Sequence, residues 1–276
     1  MSGRFAIATR DELWLRGRLV ERRLSHGEAF DDEQGIVATD ARDDALVAKC
    51  DELMDELRRR VLPDLRMRLV AEARLDGVTS TITATLAGHS LVTDAAHLED
   101  DVPLLRRAAL EPEVETHALP LVWRNGSAAV LLHEAIGHPA EHAMSPVAWP
   151  EWLHVDNPLT MRRATFRDVP LLRMTNLVAR AVDAPFELPE TRIEVLLVDG
   201  GAYDPLTDVV TLRIAAADLV EGRETRRVAP FTLMRARTQI VLLGATGEPV
   251  RYPGVVCSRE GQELVVGSHA PLMVTA

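Results

Sequence analysis

Hydrophobic and polar positions change period several times along the chain. Over residues 11–25 and 41–60, apolar residues recur at helical spacing among many charges, which predicts two helices, the second ending before Pro63. From Leu65 the period becomes two. Leu65, Met67, Leu69, Ala71, Ala73 and Leu75 alternate with mostly polar neighbours, Asp76-Gly77 offers a tight turn, and the Thr-rich residues 78–86 resume the alternation, so a hairpin is expected. A polar stretch over 99–115, with Pro103 and Pro112, reads as a connection carrying one short helix and puts a domain boundary near residue 118. An apolar helix then starts near Ser127. Residues 144–170, broken by Pro146, Pro150, Pro158 and Pro170, predict loop or short irregular helix. Short aliphatic runs at 193–198, 209–214, 224–228, 239–243 and 263–266 follow, separated by Gly, Pro and Asp, with Gly200-Gly201 as a turn. The expected class is α+β: an N-terminal mixed domain with antiparallel strands over 1–118, then a motif helix and a C-terminal antiparallel β-sheet or incomplete barrel over 119–276.

Composition adds limits. With 276 residues, 47% of them hydrophobic, the chain can bury a substantial core. No apolar run approaches the roughly 20 residues of a membrane span, and the first residues are too charged for a signal peptide, which makes the cytoplasm the expected location. A net charge of −11 argues against a phosphate-backbone binder, and the arginine runs at 58–60 and 162–163 are interspersed with acidic residues as on a solvated surface. No repeat, heptad, Rossmann or P-loop fingerprint is present. The two cysteines, Cys50 and Cys257, are far apart and form no CxxC pair, so a reducing compartment is expected. Cys50 falls in a helical pattern and reads as packing. Cys257, after Tyr252-Pro-Gly-Val-Val, reads as part of a turn-rich loop between strands, where a thiolate can project into a pocket.

The densest chemistry lies in Ala129-Val-Leu-Leu-His-Glu-Ala-Ile-Gly-His-Pro-Ala-Glu-His142. Neutral imidazoles from His133 and His138 suit Zn²⁺, and Glu134, beside a ligand, suits a general base acting on water at the metal. The spacing is HExxxH, however, and five residues at roughly 100° each put the second histidine about 140° round a regular helix. Gly137 permits unusual dihedrals and Pro139 removes the amide that would bond back to Ala135, so a widened or broken last turn is expected there. A third ligand has five candidates, Glu141, His142, His154, Asp156 and Cys257, and periodicity does not choose among them.

From about residue 119 to its end the chain resembles the TldD/PmbA family of metallopeptidases. The likeness runs through His133-Glu-Ala-Ile-Gly-His-Pro-Ala-Glu141, Arg173-Met-Thr-Asn176, Asp199-Gly-Gly-Ala-Tyr-Asp-Pro205, and Cys257-Ser-Arg-Glu-Gly-Gln262 leading to Val266-Gly-Ser-His-Ala-Pro271, in that order. The resemblance implies one zinc per chain held by His133, His138 and Cys257, with Glu134 as general base. It implies the TldD-like half of the family, since PmbA-like (TldE) paralogues generally lack the intact motif and act as its partner, and hence a homodimer or a heterodimer with a PmbA/TldE-like subunit. The region before the motif is shorter than in typical members, which implies a more open cleft, a different partner or a specialised substrate. The expected reaction is hydrolysis of peptide bonds in short or unfolded peptides. Asn176 is a candidate for binding substrate backbone, and His142, His154 and His269 for stabilising an oxyanion. An extended peptide adding to a sheet edge suits the β-rich architecture. Two rival functions are a non-catalytic scaffold subunit of such a complex and a peptide-tailoring metalloenzyme with one dedicated substrate.

Overall fold

The computed structural model describes residues 4–30, 43–74, 77–115, 118–142, 144, 147–157, 159–163, 170–174, 176–259 and 262–276. The chain divides into two compact units, Met1–Pro103 with Met161–Leu171 and Val256–Leu264, and Leu104–Thr160 with Leu172–Val255 and Val265–Ala276. The class is α+β with mostly antiparallel strands, as the patterning predicts.

In the first unit, strands β1 (Arg4–Leu15), β2 (Arg18–Phe30), β3 (Arg66–Arg74), β4 (Gly77–Leu86) and β5 (His89–Thr93) lie in the order β5-β4-β3-β1-β2, every neighbouring pair antiparallel. The expected hairpin over 65–86 is β3 and β4, with Met67, Leu69, Ala71 and Ala73 all buried on one face. Leu75 and Asp76, half of its expected turn, lie outside the described residues. Helix α1 (Asp44–Arg58) begins at Asp43, whose side chain accepts from the Ala45 and Leu46 amides, and it buries Leu46, Val47, Cys50, Met54 and Leu57 against β1, β3 and β4. The Cys50 thiol donates to the Ala71 carbonyl at 3.2 Å, and burial pushes its pKa to about 11, so it is packing. The helix expected over 11–25 is replaced by the β1–β2 hairpin. Two features hide its period of two: a register shift at Leu13/Trp14, and exposed apolar residues at Leu15, Leu19, Val20 and Leu24. Positive φ at Arg16 (50°) and Gly17 (70°) makes the two-residue turn.

Helix α2 (Leu98–Ala108) is the short helix expected in the connection. The second unit holds β6 (Leu121–Trp123), helix α3 (Ala128–Leu132), a π turn (His133–Gly137) and α4 (His138–Glu141). The tract expected to be loop contains strands β7 (Leu153–Asp156) and β8 (Leu159–Arg163), with β9 (Pro170–Met174) at its end; Pro146, Pro158 and residues 164–169 lie outside the described residues. Pro150 precedes β7 and Pro170 opens β9, positions where the missing amide is tolerated. After β10 (Asn176–Ala181) come β11 (Thr191–Asp204), β12 (Val209–Glu221), β13 (Glu224–Val228), β14 (Phe231–Ala236), β15 (Leu242–Arg259) and β16 (Gln262–Thr275). They form an open sheet in the order β13-β12-β11-β6-β16-β15, with β14 beside β12, β10 beside β16 and β7 beside β10. Pairs β11–β6 and β10–β16 are parallel.

Two sequence readings change here. Gly200 and Gly201 are not a turn but lie inside β11, where its register shifts repeatedly between Val195 and Gly200. Cys257 lies not in a loop but inside β15, which Pro253 and Gly254 do not interrupt; Glu260 and Gly261 are outside the described residues. Helix α3 packs on β10, β11 and β12 and is buried along its whole length. Ser127 does not cap it; the hydroxyl donates to the Val195 carbonyl of β11 at 3.1 Å and ties the helix start to the sheet. Before it, Asn125 (φ 52°) and Gly126 (φ 72°) turn the chain, and a Cβ on Gly126 would overlap the Val250 carbonyl oxygen of β15. The helix start and β15 are therefore in backbone contact. Among the described residues no helix is long and apolar enough to cross a membrane.

Gly126→Ala adds both a positive-φ cost and this overlap, so it is expected to destabilise the protein by roughly 1–3 kcal/mol. Urea unfolding measures it; a variant as stable as wild type would mean that β15 does not press on this turn.

Candidate metal centre

The local fold answers the spacing problem of HExxxH. His133–Gly137 is a π turn, and the His138 amide donates to the His133 carbonyl five residues back. A turn closed from i to i+5 returns the chain to the same face after five residues, so the two histidines point together. Their rings are perpendicular, with centroids 4.8 Å apart. Gly137 has ordinary right-handed helical dihedrals (φ −62°, ψ −61°), which corrects the expectation that it is needed for unusual ones. Space is what it supplies: a Cβ there would overlap the sulfur and terminal methyl of Met174. Pro139, which has no amide to give, stands where the π turn passes into α4.

Strand β15 belongs to the second unit through Val255 and carries Cys257 two residues farther along the same strand. One donor atom from each of His133, His138 and Cys257 lies within 4.8 Å of the others, and all three residues are buried or nearly so. Of the five candidates for a third ligand, Cys257 is the one in this group; Glu141, His142, His154 and Asp156 are not. With zinc–donor lengths of about 2.0–2.3 Å and tetrahedral angles, two ligand atoms on one ion stand about 3.3–3.6 Å apart, so the widest pair closes by about 1 Å when an ion is shared. The donor set fits zinc: two imidazoles and a thiolate, the protein ligand count of catalytic zinc sites, whereas structural sites have four. His133 Nδ1 is buried without a hydrogen-bond partner among the described residues, and burial, with the charge of His138, lowers the pKa of this imidazole to about 3. A histidine held neutral has the lone pair that coordination needs.

Glu134 is 4% exposed, and its Oε2 has no hydrogen-bond partner among the described residues, standing 3.6 Å from His138 Nε2. Burial raises its pKa to about 7, against the opposing charge of His138. Above it lies β11: a Cβ on Gly201 would come within 2.5 Å of Glu134 Oε1. The bulged stretch of β11 that brings Gly201 there is held by Tyr252, whose hydroxyl accepts from the Val198 amide at 2.6 Å and donates to the Val198 carbonyl at 2.9 Å. Spacing alone revealed neither Gly201 nor Tyr252.

Behind His138 is a second carboxylate. Glu141 Oε2 lies 2.9 Å from His138 Nδ1, while its Oε1 accepts from the Met174 amide at 2.7 Å and faces Arg173 Nε at 3.3 Å. Burial opposes ionisation of Glu141, but the hydrogen bonds from His138 and Met174 and the charges of His138 and Arg173 together hold its pKa at about 2.

The remaining candidates are more dispersed. Asn176 is exposed at the start of β10, its backbone beside Gly267; the adjoining Thr175 is outside the described residues. His142 ends α4, its ring 6.2 Å from that of Tyr203. His154 is exposed on β7 opposite Arg180. His269 is half-buried on β16, its Nδ1 without a hydrogen-bond partner among the described residues, and burial and the charge of Arg251 lower its pKa.

No family model matches the chain. No curated protein matches it either. Among solved structures it is similar to TldE from Thermococcus kodakarensis, at 10% identity over 99% of this chain and 95% of that one, with a TM-score of 0.48. It is also similar to a candidate modulator of a DNA gyrase from Thermotoga maritima, at 11% identity over 99% and 94% of the two chains, with a TM-score of 0.47.

Three shifted groups of the site contribute to the acid response of chelator-treated protein. His133 titrates at about 3 in the fold against 6.5 ordinarily, so stability is lost as pH falls below 6.5. Glu141, at about 2 against 4.5, adds a loss below 4.5. Glu134, at about 7 against 4.5, acts oppositely, its contribution vanishing as pH rises from 4.5 to 7. His133 and Glu134 thus offset one another between 4.5 and 6.5, where the lowered pKa of His269 still favours higher pH; below 4.5 the losses at His133 and Glu141 add to those of the other carboxylates with lowered pKa values, Glu12, Asp51, Asp94, Glu194 and Asp208. In Glu134→Gln the loss of Tm from pH 6.5 to 4.5 should be steeper than in wild type; calorimetry showing the same slope in both proteins would contradict these assignments.

Proposed function

We propose that the chain is a zinc-dependent peptidase acting on short or unfolded peptides, with its active site in the region from residue 119 onward. The observation that carries this reading is the gathering of His133, His138 and Cys257 beside a buried carboxylate, Glu134, that has an oxygen without a hydrogen-bond partner among the described residues. Bound there, zinc supplies Lewis acidity that polarises the scissile carbonyl and acidifies water. Glu134 takes the proton from the attacking water and returns it to the departing amine. One carboxyl group can do both, as acceptor in the first transfer and donor in the second. Gly201 keeps β11 close over that carboxylate without crowding it, and burial keeps bulk water from competing for the proton. The resemblance of the ordered motifs to TldD/PmbA proteins supports peptide bonds as the substrate class. It brings with it a cytoplasmic setting and a homodimer or a heterodimer with a PmbA/TldE-like subunit. Asn176, His142 and His269 are proposed to contact the substrate.

Glu134→Gln is expected to lower kcat for peptide hydrolysis by about 10²–10⁴-fold while the zinc content stays at the wild-type level. Hydrolysis kinetics and elemental analysis on the same samples check this. Full activity in the variant would remove Glu134 from the mechanism, and absence of peptide hydrolysis from zinc-loaded wild type would remove the peptidase reading.

A further inference from the structure

The carboxylate behind His138 has no part in the proton transfers above, yet it is buried and held by contacts from two directions. Glu141 Oε2 faces His138 Nδ1 at 2.9 Å, and Oε1 receives the Met174 amide at 2.7 Å and stands 3.3 Å from Arg173 Nε. The side chains of both Glu141 and Arg173 are fully buried. A carboxylate that accepts from a backbone amide and faces a guanidinium is an acceptor, so the ring nitrogen opposite it carries the proton. That fixes the tautomer: Nδ1 of His138 is protonated and Nε2 keeps the lone pair. Nε2 is the nitrogen turned toward Glu134, at 3.6 Å from its Oε2, on the side of the reactive groups. The same short segment locks the helix mechanically. Met174 gives its amide to Glu141 and sets its sulfur and methyl where a Cβ of Gly137 would be, so one residue grips both α4 and the π turn that brings the histidines together.

We propose that Glu141, oriented by Arg173 and the Met174 amide, is the positioning residue that commits His138 to bind the metal through Nε2, and that Arg173-Met174 is the clamp holding it. This inference rests on the metal reading above. Outer carboxylates of this kind raise the basicity of a ligating histidine and restrict its ring, and their loss costs metal affinity without removing a ligand.

The test is zinc affinity by competition with a chromophoric chelator, together with the absorption spectrum of the cobalt(II)-substituted protein. Wild type, Glu141→Gln and the double variant Glu141→Gln/Arg173→Met are compared, with Tm recorded for each. Glu141→Gln is expected to bind zinc roughly 10–100-fold more weakly. The ligand-field bands of cobalt should shift, while the thiolate-to-cobalt charge-transfer band persists because Cys257 is untouched. The single variant takes away the charge facing a buried guanidinium and loses Tm; the double variant, with neither charge, should recover Tm but not zinc affinity. Recovery of affinity along with Tm would reduce Glu141 to a structural role and overturn the proposal. Wild-type affinity in Glu141→Gln would overturn it as well, leaving the metal site standing. Wild type that takes up no zinc would overturn the metal reading and this inference with it.

Discussion

One hydrogen bond organises the site: the His138 amide to the His133 carbonyl, closing the chain over five residues instead of four. In a regular helix the two imidazoles of an HExxxH motif diverge; in a π turn they share a face. An inserted residue of this kind is unfavourable on its own and must be held by its surroundings. Here it is held. The preceding helical turn, 128–132, is wholly buried on the sheet, and Met174 fills the notch left by Gly137. The widened turn is thus a product of packing, and its consequence is a pair of imidazoles 4.8 Å apart.

The sheet does the rest through close backbone approaches. At Gly126 the chain entering the helix touches β15, the strand that carries Cys257; at Gly201 the bulged β11 lies against Glu134. Tyr252 links these two strands, on β15 five residues before the thiol and hydrogen-bonded to both backbone groups of Val198 at the bulge. The bulge that lies against Glu134 and the strand that carries the thiol are therefore joined through the same tyrosine. A low-dielectric environment follows from this closeness, and it separates two neighbouring glutamates: Glu134, short of partners, rises to about 7, whereas Glu141, surrounded by donors, falls to about 2.

Much of this was legible in the sequence where the determinants are local. The alternation of Met67 to Ala73 gave away its hairpin because one face is buried without interruption. HExxxH itself ruled out a regular helix and pointed to a widened turn, although the work of Gly137 is to make room rather than to bend. Non-local determinants stayed hidden. The bulge at Leu13/Trp14 disguised a strand as a helix, and Pro253-Gly254 and Gly200-Gly201 looked like turns because their strands are long and irregular rather than short and ideal. Glu141 and Arg173 are 32 residues apart, a distance over which no periodicity connects them. Spacing left the thiol one of five candidate ligands and the resemblance to TldD/PmbA proteins singled it out; in the fold it stands beside the histidines.

His133, His138 and Cys257 are proposed to hold one metal ion together. The most direct measurement is zinc content by elemental analysis of wild type and Cys257→Ser, both purified without added metal. About one zinc per chain is expected in wild type, with a sharp drop when the thiol is replaced. A wild type without zinc, or a variant that keeps it in full, would contradict the proposed ligand set.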